Sequence, residues 1–175
     1  MHFAIARAPR RVARTLVASA CLATACAAQA GTIEPEIGWG FASGNPLQGG
    51  DIDTLQIGLG YYLDNGVGAR YVGFAILAPN WLFDTNTRAF SEFDGVQLVD
   101  HFPVSGRLSG MIGAGIGKSS YDRMSGSTLS ASETEGIVTA GLKWKPASHF
   151  DLSLQYSYLT QSGVWNLALM AGVPF

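Results

Sequence analysis

The chain has 175 residues, of which 47% are hydrophobic and only 14% are charged, and its formal net charge at pH 7 is −2. That length is enough for one domain of ordinary size. Four of the eleven Lys and Arg residues precede position 15, so the rest of the chain carries seven against thirteen Asp and Glu, a net charge near −6. A chain this acidic lacks the basic face that nucleic-acid binding requires, and we therefore exclude nucleic acid as a partner.

Residues 1–30 have the pattern of a cleaved secretory signal. Four arginines form a basic start, residues 15–28 form an apolar stretch of small residues, and Ala28-Gln29-Ala30 fits the cleavage pattern. The apolar stretch, about 14 residues, is shorter than the roughly 20 that a membrane-spanning helix needs. Both cysteines lie in this segment, so the predicted mature domain, 31–175, contains no disulfide and no thiol chemistry.

Eight segments of the mature domain alternate bulky apolar residues with small or polar ones, which is the period of a β-strand. In 150–158, for example, Phe, Leu, Leu, Tyr and Tyr alternate with Asp, Ser, Gln and Ser. The predicted strands are 32–41, 53–63, 67–77, 93–102, 107–119, 133–144, 150–158 and 164–175. Each is close to the roughly 9–11 residues with which a tilted strand crosses a membrane.

The orientation of the third and fourth strands is open at this point. Arg70 falls on the same side of its strand as Val72 and Phe74, so either Arg70 points into the interior or the register shifts. In the fourth strand, Asp100 falls on the face of Val96 and Leu98.

The links between the predicted strands alternate in length along the chain, except that the link after the seventh strand is brief. Those after the first, third and fifth strands are long, and those after the second, fourth and sixth are short, including a tight Asp64-Asn65-Gly66 turn. The bulky faces of the strands carry little charge, and the other faces are rich in Gly, Ser, Asn and Gln. These features are typical of a transmembrane barrel. We therefore predict an all-β fold, an eight-stranded antiparallel up-and-down transmembrane β-barrel.

Several segments carry a resemblance to a known family. They are 61–66 (YYLDNG), 113–117 (GAGIG), 141–145 (GLKWK) and the terminal Phe175. With the signal pattern, they make the chain similar to the small OmpA-like outer-membrane β-barrels, which include OmpX-type proteins. The resemblance implies a bacterial outer membrane, contact with outer-membrane lipid and lipopolysaccharide, and a monomer. It also implies that Phe175 is a signal for the barrel-assembly machinery.

Charged residues on the predicted inner faces are the candidate functional residues of the barrel. They are Glu34, Glu36, Arg70, Arg107, Glu135, Lys143 and Asp151. The interior of an eight-stranded barrel is only wide enough to be filled by side chains. Charges there must be paired or hydrogen-bonded. We interpret them as a structural ion-pair plug, with a gated ion path as the alternative.

A second set of candidates lies in the predicted extracellular loops. It comprises Trp81, Phe83, Arg88, Tyr121 and Arg123. Side chains in such loops are available for binding an external partner. Aromatic residues there also serve as anchors at the level of the lipid headgroups, and both interpretations stay open.

Enzymatic activity is a further alternative, because some outer-membrane barrels of this size modify lipid A with a His, a Ser and a carboxylate near the outer leaflet. The mature domain contains only His101 and His149, and both are predicted at the opposite, periplasmic end. The stretch 155–157 (QYS) offers Gln where a general base is required, and Gln cannot accept a proton in that role. We predict no catalytic residues and no enzyme.

Metal and soluble-carrier functions complete the alternatives. The mature domain has two His, no Cys and no carboxylates clustered in the sequence, so we predict no metal site and no cofactor. A soluble periplasmic carrier of the lipocalin type would place its bulky residues inside the barrel and its charges outside. The weakly charged strand faces favour the membrane barrel over that carrier.

Overall fold

The computed structural model describes residues 31–44, 52–77, 88–123 and 131–175. The predicted signal, 1–30, and the loop candidates Trp81 and Phe83 lie outside the described residues. Among the residues that the structure describes, no helix is long and apolar enough to cross a membrane.

Eight strands form one closed barrel. They are β1 (Thr32–Ser43), β2 (Ile52–Tyr62), β3 (Val67–Ile76), β4 (Arg88–Ser105), β5 (Leu108–Arg123), β6 (Ala131–Ala147), β7 (Phe150–Leu159) and β8 (Trp165–Gly172). Each strand pairs antiparallel with the next, and β8 pairs antiparallel with β1. The predicted fold, an eight-stranded up-and-down barrel, is confirmed.

The side chains of each strand alternate between the lumen and the outside. In β7, the polar residues Asp151 and Ser153 are buried, whereas Leu154 and Tyr156 are 49% and 44% exposed. This arrangement is the reverse of a water-soluble protein and typical of a membrane barrel. The large exposed apolar side chains include Ile37, Trp39, Phe41, Leu55, Val96, Leu98, Ile112, Ile116, Val138, Leu142, Trp144, Leu167 and Leu169. An exterior of this kind contradicts the soluble-carrier alternative.

Strands β4, β5 and β6 are longer than the sequence predicts. Arg88 pairs with Arg123, and Phe90 pairs with Tyr121, so these positions extend the β4–β5 ladder beyond the predicted limits. The expectation that Arg88, Tyr121 and Arg123 lie in loops is therefore wrong. Backbone pairing continues beyond the exposed apolar side chains, which form the apolar belt of the barrel. The residues beyond this belt do not alternate as lipid-facing strands do, so their sequence does not predict a strand.

The orientations that the sequence left open are settled by burial. Arg70 lies in the lumen on the same side of β3 as Val72 and Phe74, without a shift of register. Asp100 is exposed on the outer face of β4, close to the short turn that follows. The turn between β2 and β3 uses Gly66 with φ of 89°, a conformation that glycine adopts at little cost.

Candidate functional site: the lumen

Five charged side chains from four strands meet in the lumen near the end that carries the short turns. This lumenal ion cluster consists of Glu34 and Glu36 from β1, Arg70 from β3, Lys143 from β6 and Asp151 from β7. All five are 4% exposed or less. Six of the seven predicted inner charges are buried in the lumen, five in this cluster and Glu135 elsewhere.

Two of the carboxylates in the cluster have close cationic partners. Arg70 Nη2 lies 2.6 Å from Glu36 Oε2, and Lys143 Nζ contacts Glu34 Oε1 directly. Lys143 Nζ lies 3.7 Å from Glu36 Oε1 and 3.9 Å from Asp151 Oδ2. Lys143 thus sits among three carboxylates, while Arg70 serves mainly one.

A glycine on the inner face of β2 makes room for the closest of these pairs. A Cβ at Gly58 would lie 2.7 Å from Glu36 Oε2 and 3.0 Å from Arg70 Nη2. Separations that short are not tolerated by real Cβ atoms, so a side chain at this position would displace the pair. The inner-face glycines therefore have a packing role, as expected for a lumen filled by side chains.

The carboxylates form a closer group than the sequence suggests. One oxygen each of Glu34, Glu36 and Asp151 lies within 4.8 Å of the others, a spacing that could hold a metal ion. The expectation that no carboxylates cluster is wrong, because closure of the barrel places β1 and β7 on either side of β8. The ammonium of Lys143 already lies among these oxygens and supplies a positive charge there.

A layer of neutral polar side chains follows the ion cluster along the lumen. Gln155 Oε1 accepts hydrogen bonds from Arg70 Nη2 at 2.8 Å and from Gln56 Nε2 at 3.2 Å. Asn166 Nδ2 donates to Gln56 Oε1 at 2.6 Å, and Thr54 Oγ1 donates to Asn166 Oδ1 at 2.7 Å. Gln56, Thr54 and Asn166 are not among the residues that the sequence predicts as functional, although they occupy the polar positions of the same alternating strands.

The end of the lumen nearer the longer links is closed by apolar side chains. The apolar layer comprises Ala42, Val72, Phe74, Phe90, Phe93, Tyr121, Ile137, Leu159 and Val164, all buried. The ring centroids of Phe74 and Phe93 lie 5.4 Å apart, and those of Phe90 and Tyr121 lie 5.9 Å apart. Tyr121, expected in a loop, is thus part of this closure.

Glu135 is buried apart from the ion cluster, at the end of the apolar layer. Its carboxylate accepts hydrogen bonds from Ser119 Oγ, from the backbone N–H of Gln161 at 3.3 Å, and from the backbone N–H of Ser162 at 3.0 Å. Ser162 Oγ donates to it as well, at 2.9 Å. Glu135 therefore fastens the link between β7 and β8 to the wall of the barrel.

Arg107 is the one predicted inner charge that does not lie in the lumen. It is exposed in the turn between β4 and β5, and its Nη1 donates to Pro146 O at 2.9 Å. Its position precedes Leu108, the residue at which pairing between β5 and β6 begins. The prediction of an inner position for Arg107 is therefore wrong, because the residue lies beyond the end of the barrel wall, where its side chain is in solvent.

Comparison with solved structures identifies the fold. The N-terminal β-barrel domain of OprF from Pseudomonas aeruginosa is 21% identical over 83% of this chain and 98% of that domain, with a TM-score of 0.59. Ail of Yersinia pestis is 21% identical over 84% and 100%, with a TM-score of 0.57. The outer membrane protein OprG from P. aeruginosa is 12% identical over 84% and 97%, with a TM-score of 0.59.

The chain has the fold of the small OmpA-like outer-membrane barrels. At these identities the likeness establishes the fold, and the outer-membrane location predicted from the sequence is that of these barrels. No family model matches the chain, and no similar sequence is found among curated proteins.

The remaining candidate residues have defined places in this barrel. His149 is exposed in the turn between β6 and β7, and His101 packs against the ring of Tyr62 with centroids 4.5 Å apart. Both histidines therefore lie at the end with the short turns. Phe175 is 76% exposed, and its backbone N–H donates to Ile33 O at 2.9 Å beside β1.

Proposed function

We propose that this chain is a non-enzymatic outer-membrane barrel with a closed lumen and a structural or surface-exposed role. The observation that carries the proposal is the continuous filling of the lumen, from the ion cluster through the amide layer to the apolar layer. The parts of the barrel beyond the membrane are then the surface on which an external partner can bind.

The apolar layer supports the absence of conduction. A hydrated ion that entered from the turn end would meet Arg70 and Lys143, each 1% exposed and already paired with carboxylates. Beyond the amides it would have to pass Phe74 and Phe93, which offer no hydrogen-bonding group in exchange for water. Dehydration of an ion without replacement ligands is strongly unfavourable.

The positions of the histidines support the absence of lipid A chemistry. His101 and His149 both lie at the end with the short turns, which in barrels of this type faces the periplasm. Gln155 and Ser157 of β7 are buried in the lumen, where Gln155 is hydrogen-bonded to Arg70 and Ser157 to Thr139. A general base must be within hydrogen-bond reach of the group that it activates.

The proposed partners follow from the exterior and from the chain's resemblance. The apolar belt supports outer-membrane lipid, including lipopolysaccharide, as the immediate neighbour. Phe175 supports recognition by the barrel-assembly machinery during insertion. A monomer is proposed because β8 pairs with β1, so that the described barrel leaves no strand edge to be covered by a second copy.

Two experiments test the outer-membrane location and the non-enzymatic role. Cells that express the chain are fractionated, and the outer-membrane fraction is run on SDS gels with and without heating; we expect a heat-dependent shift in mobility. A soluble periplasmic protein with no shift would overturn the location. Mass spectrometry of lipid A from a deletion strain is expected to show no change, and an altered acyl pattern would overturn the non-enzymatic role.

Conduction is tested in planar bilayers. We expect the wild-type barrel to show no steps of conductance, and a Phe74→Ala/Phe93→Ala variant to show measurable ones. Ile116→Ala, on the outer wall and 57% exposed, is the matched control and should stay silent. If the wild type conducts, and the double substitution leaves that conductance unchanged, the apolar layer does not close the lumen.

A further inference from the structure

The charges of the lumenal ion cluster do not balance. Three carboxylates, Glu34, Glu36 and Asp151, face two cations, Arg70 and Lys143. Arg70 pairs with one carboxylate at 2.6 Å, and Lys143 is in direct contact with another. If every group were ionised, one negative charge would be left over in a region closed to solvent.

Asp151 is the carboxylate without a close partner. It is 1% exposed, its nearest cation is Lys143 Nζ at 3.9 Å, and neither of its oxygens has a hydrogen-bond partner. A buried charge in that position is strongly destabilising, because the solvation that it loses is not replaced. An uncharged Asp151 would remove most of that cost.

The carboxyl of Asp151 converges with that of Glu34. Both pack over the backbone of Gly172 in β8, where a Cβ would lie 3.0 Å from Glu34 Oε1 and closer still to Asp151 Oδ1. Their oxygens are within 4.8 Å of each other. Two carboxyl groups this close resist being ionised together, and one proton shared between them removes the repulsion.

Other titratable and charged groups surround the pair. Glu36 of β1, Tyr62 of β2, and Lys143 and Lys145 of β6 face the pair itself. Arg70 of β3 and His101 of β4 face Glu36 beside it. Lys145 is exposed, and Tyr62 is neutral at neutral pH. His101 packs against Tyr62 and lies near Glu36, and the experiment below separates its contribution from that of the pair.

We propose that Asp151 and Glu34 share one proton at neutral pH, so that the lumenal ion cluster is electrically neutral. The folded barrel then binds a proton that the unfolded chain, whose carboxyl groups are ionised at neutral pH, does not. Stability therefore falls as the pH rises through the range in which the pair loses this proton. The proposal requires a lumen closed to bulk solvent, and it is independent of whether the barrel binds an external partner.

The test compares the wild-type barrel with Asp151→Asn, both refolded in lipid vesicles, from mildly acidic to alkaline pH. The readout is the temperature at which the folded band on an SDS gel converts to the unfolded one. The wild type should lose stability as the pH rises, whereas Asp151→Asn should be at least as stable at neutral pH and have a flatter profile. Asp64→Asn, in the exposed turn between β2 and β3, is the matched control and should follow the wild type.

Infrared spectroscopy in heavy water detects the shared proton directly in the wild type. We expect the carbonyl band of a protonated carboxylic acid at neutral pH, and its loss in Asp151→Asn and in Glu34→Gln. This readout keeps the proposal testable if a variant fails to fold, since absence of the band in the wild type already overturns it.

Two further outcomes would also overturn the proposal. One is an Asp151→Asn barrel that keeps the pH dependence of the wild type or is less stable at every pH. The other is loss of the pH dependence in His101→Gln with Asp151 intact, which would assign the balancing charge to the histidine. The bilayer experiment is separate: a conducting wild type would reject the closed lumen, whereas a silent barrel without the infrared band would reject only the shared proton.

Discussion

The two ends of the lumen are filled by different chemistry. Near the short turns, Arg70, Lys143 and three carboxylates are held together by ion pairs, with Arg70 Nη2 2.6 Å from Glu36 Oε2. Near the longer links, Phe74, Phe93 and their neighbours fill the space by packing, with ring centroids 5.4 Å apart. Charged groups satisfy one another only in one arrangement, whereas apolar groups can repack. The two ends should therefore respond differently when one of their side chains is removed.

The largest effect is expected when one member of the closest ion pair is removed. Arg70→Met should lower the free energy of unfolding by about 3–5 kcal/mol, because it leaves Glu36 buried without its main partner. The double variant Glu36→Gln/Arg70→Met should recover most of that loss. Urea unfolding of the barrel in lipid vesicles measures both.

Arg107→Gln is the control for this experiment, because Arg107 is exposed and outside the lumen. It should change the free energy of unfolding by less than about 1 kcal/mol. A single Arg70→Met variant that is as stable as Arg107→Gln would show that the ion cluster does not hold this end together.

The apolar end should lose somewhat less from a comparable truncation. Phe93→Ala should cost about 3 kcal/mol, near the lower limit for a buried aromatic residue, since Phe74 and Phe90 can move into the space. The same unfolding measurement applies, with Ile116→Ala on the outer wall as the lipid-facing control. A loss larger than that of Arg70→Met would reverse the order of the two ends.

A smaller effect is expected from a single added methyl group beside the ion pair. Gly58→Ala should cost about 1–3 kcal/mol, because the new Cβ would force Glu36 and Arg70 apart. Gly113→Ala is the matched control on an inner face, where the added Cβ would lie 3.1 Å from Val99 Cγ2 and none of the three atoms nearest to it belongs to a charged side chain. Equal losses at the two glycines would argue against a specific role of Gly58 in spacing the pair.

The smallest effect is a local one at the link between β7 and β8. Glu135→Gln keeps one acceptor oxygen but removes the charge that receives the N–H groups of Gln161 and Ser162. We expect hydrogen exchange at Ser162 to become about tenfold faster, equivalent to about 1.4 kcal/mol, with global stability little changed. Exchange at Leu154, in the middle of β7, should be unaffected and serves as the internal control.

Much of the fold could be predicted because membrane strands alternate lipid-facing apolar residues with small or polar ones. The alternation in 150–158 predicts β7 to within one residue of Phe150–Leu159, since every second side chain must face lipid. The alternation does not predict the strand ends that lie beyond the membrane. The residues from Arg88 to Phe90 pair with β5, and nothing in their sequence distinguishes them from a loop.

The site could be predicted in part for a related reason. Alternation assigns Glu34, Lys143 and Asp151 to inner faces, where the structure places them. It cannot show that these three meet, because their meeting depends on how far each strand is shifted along its neighbour around the closed barrel. Arg107 illustrates the same limit. The alternation of β5 predicts an inward side chain at this position, but Arg107 lies just before Leu108, where pairing with β6 begins.

The contact of Asp151 and Glu34 with Gly172 has a consequence for biogenesis. Glu34 belongs to the first strand, Asp151 to the seventh, and Gly172 ends the eighth, so the three come together only when β8 pairs with β1. Until that step these two carboxyl groups are not held against each other. We therefore expect the rate at which the barrel closes to depend on the acidity of the compartment in which closure takes place.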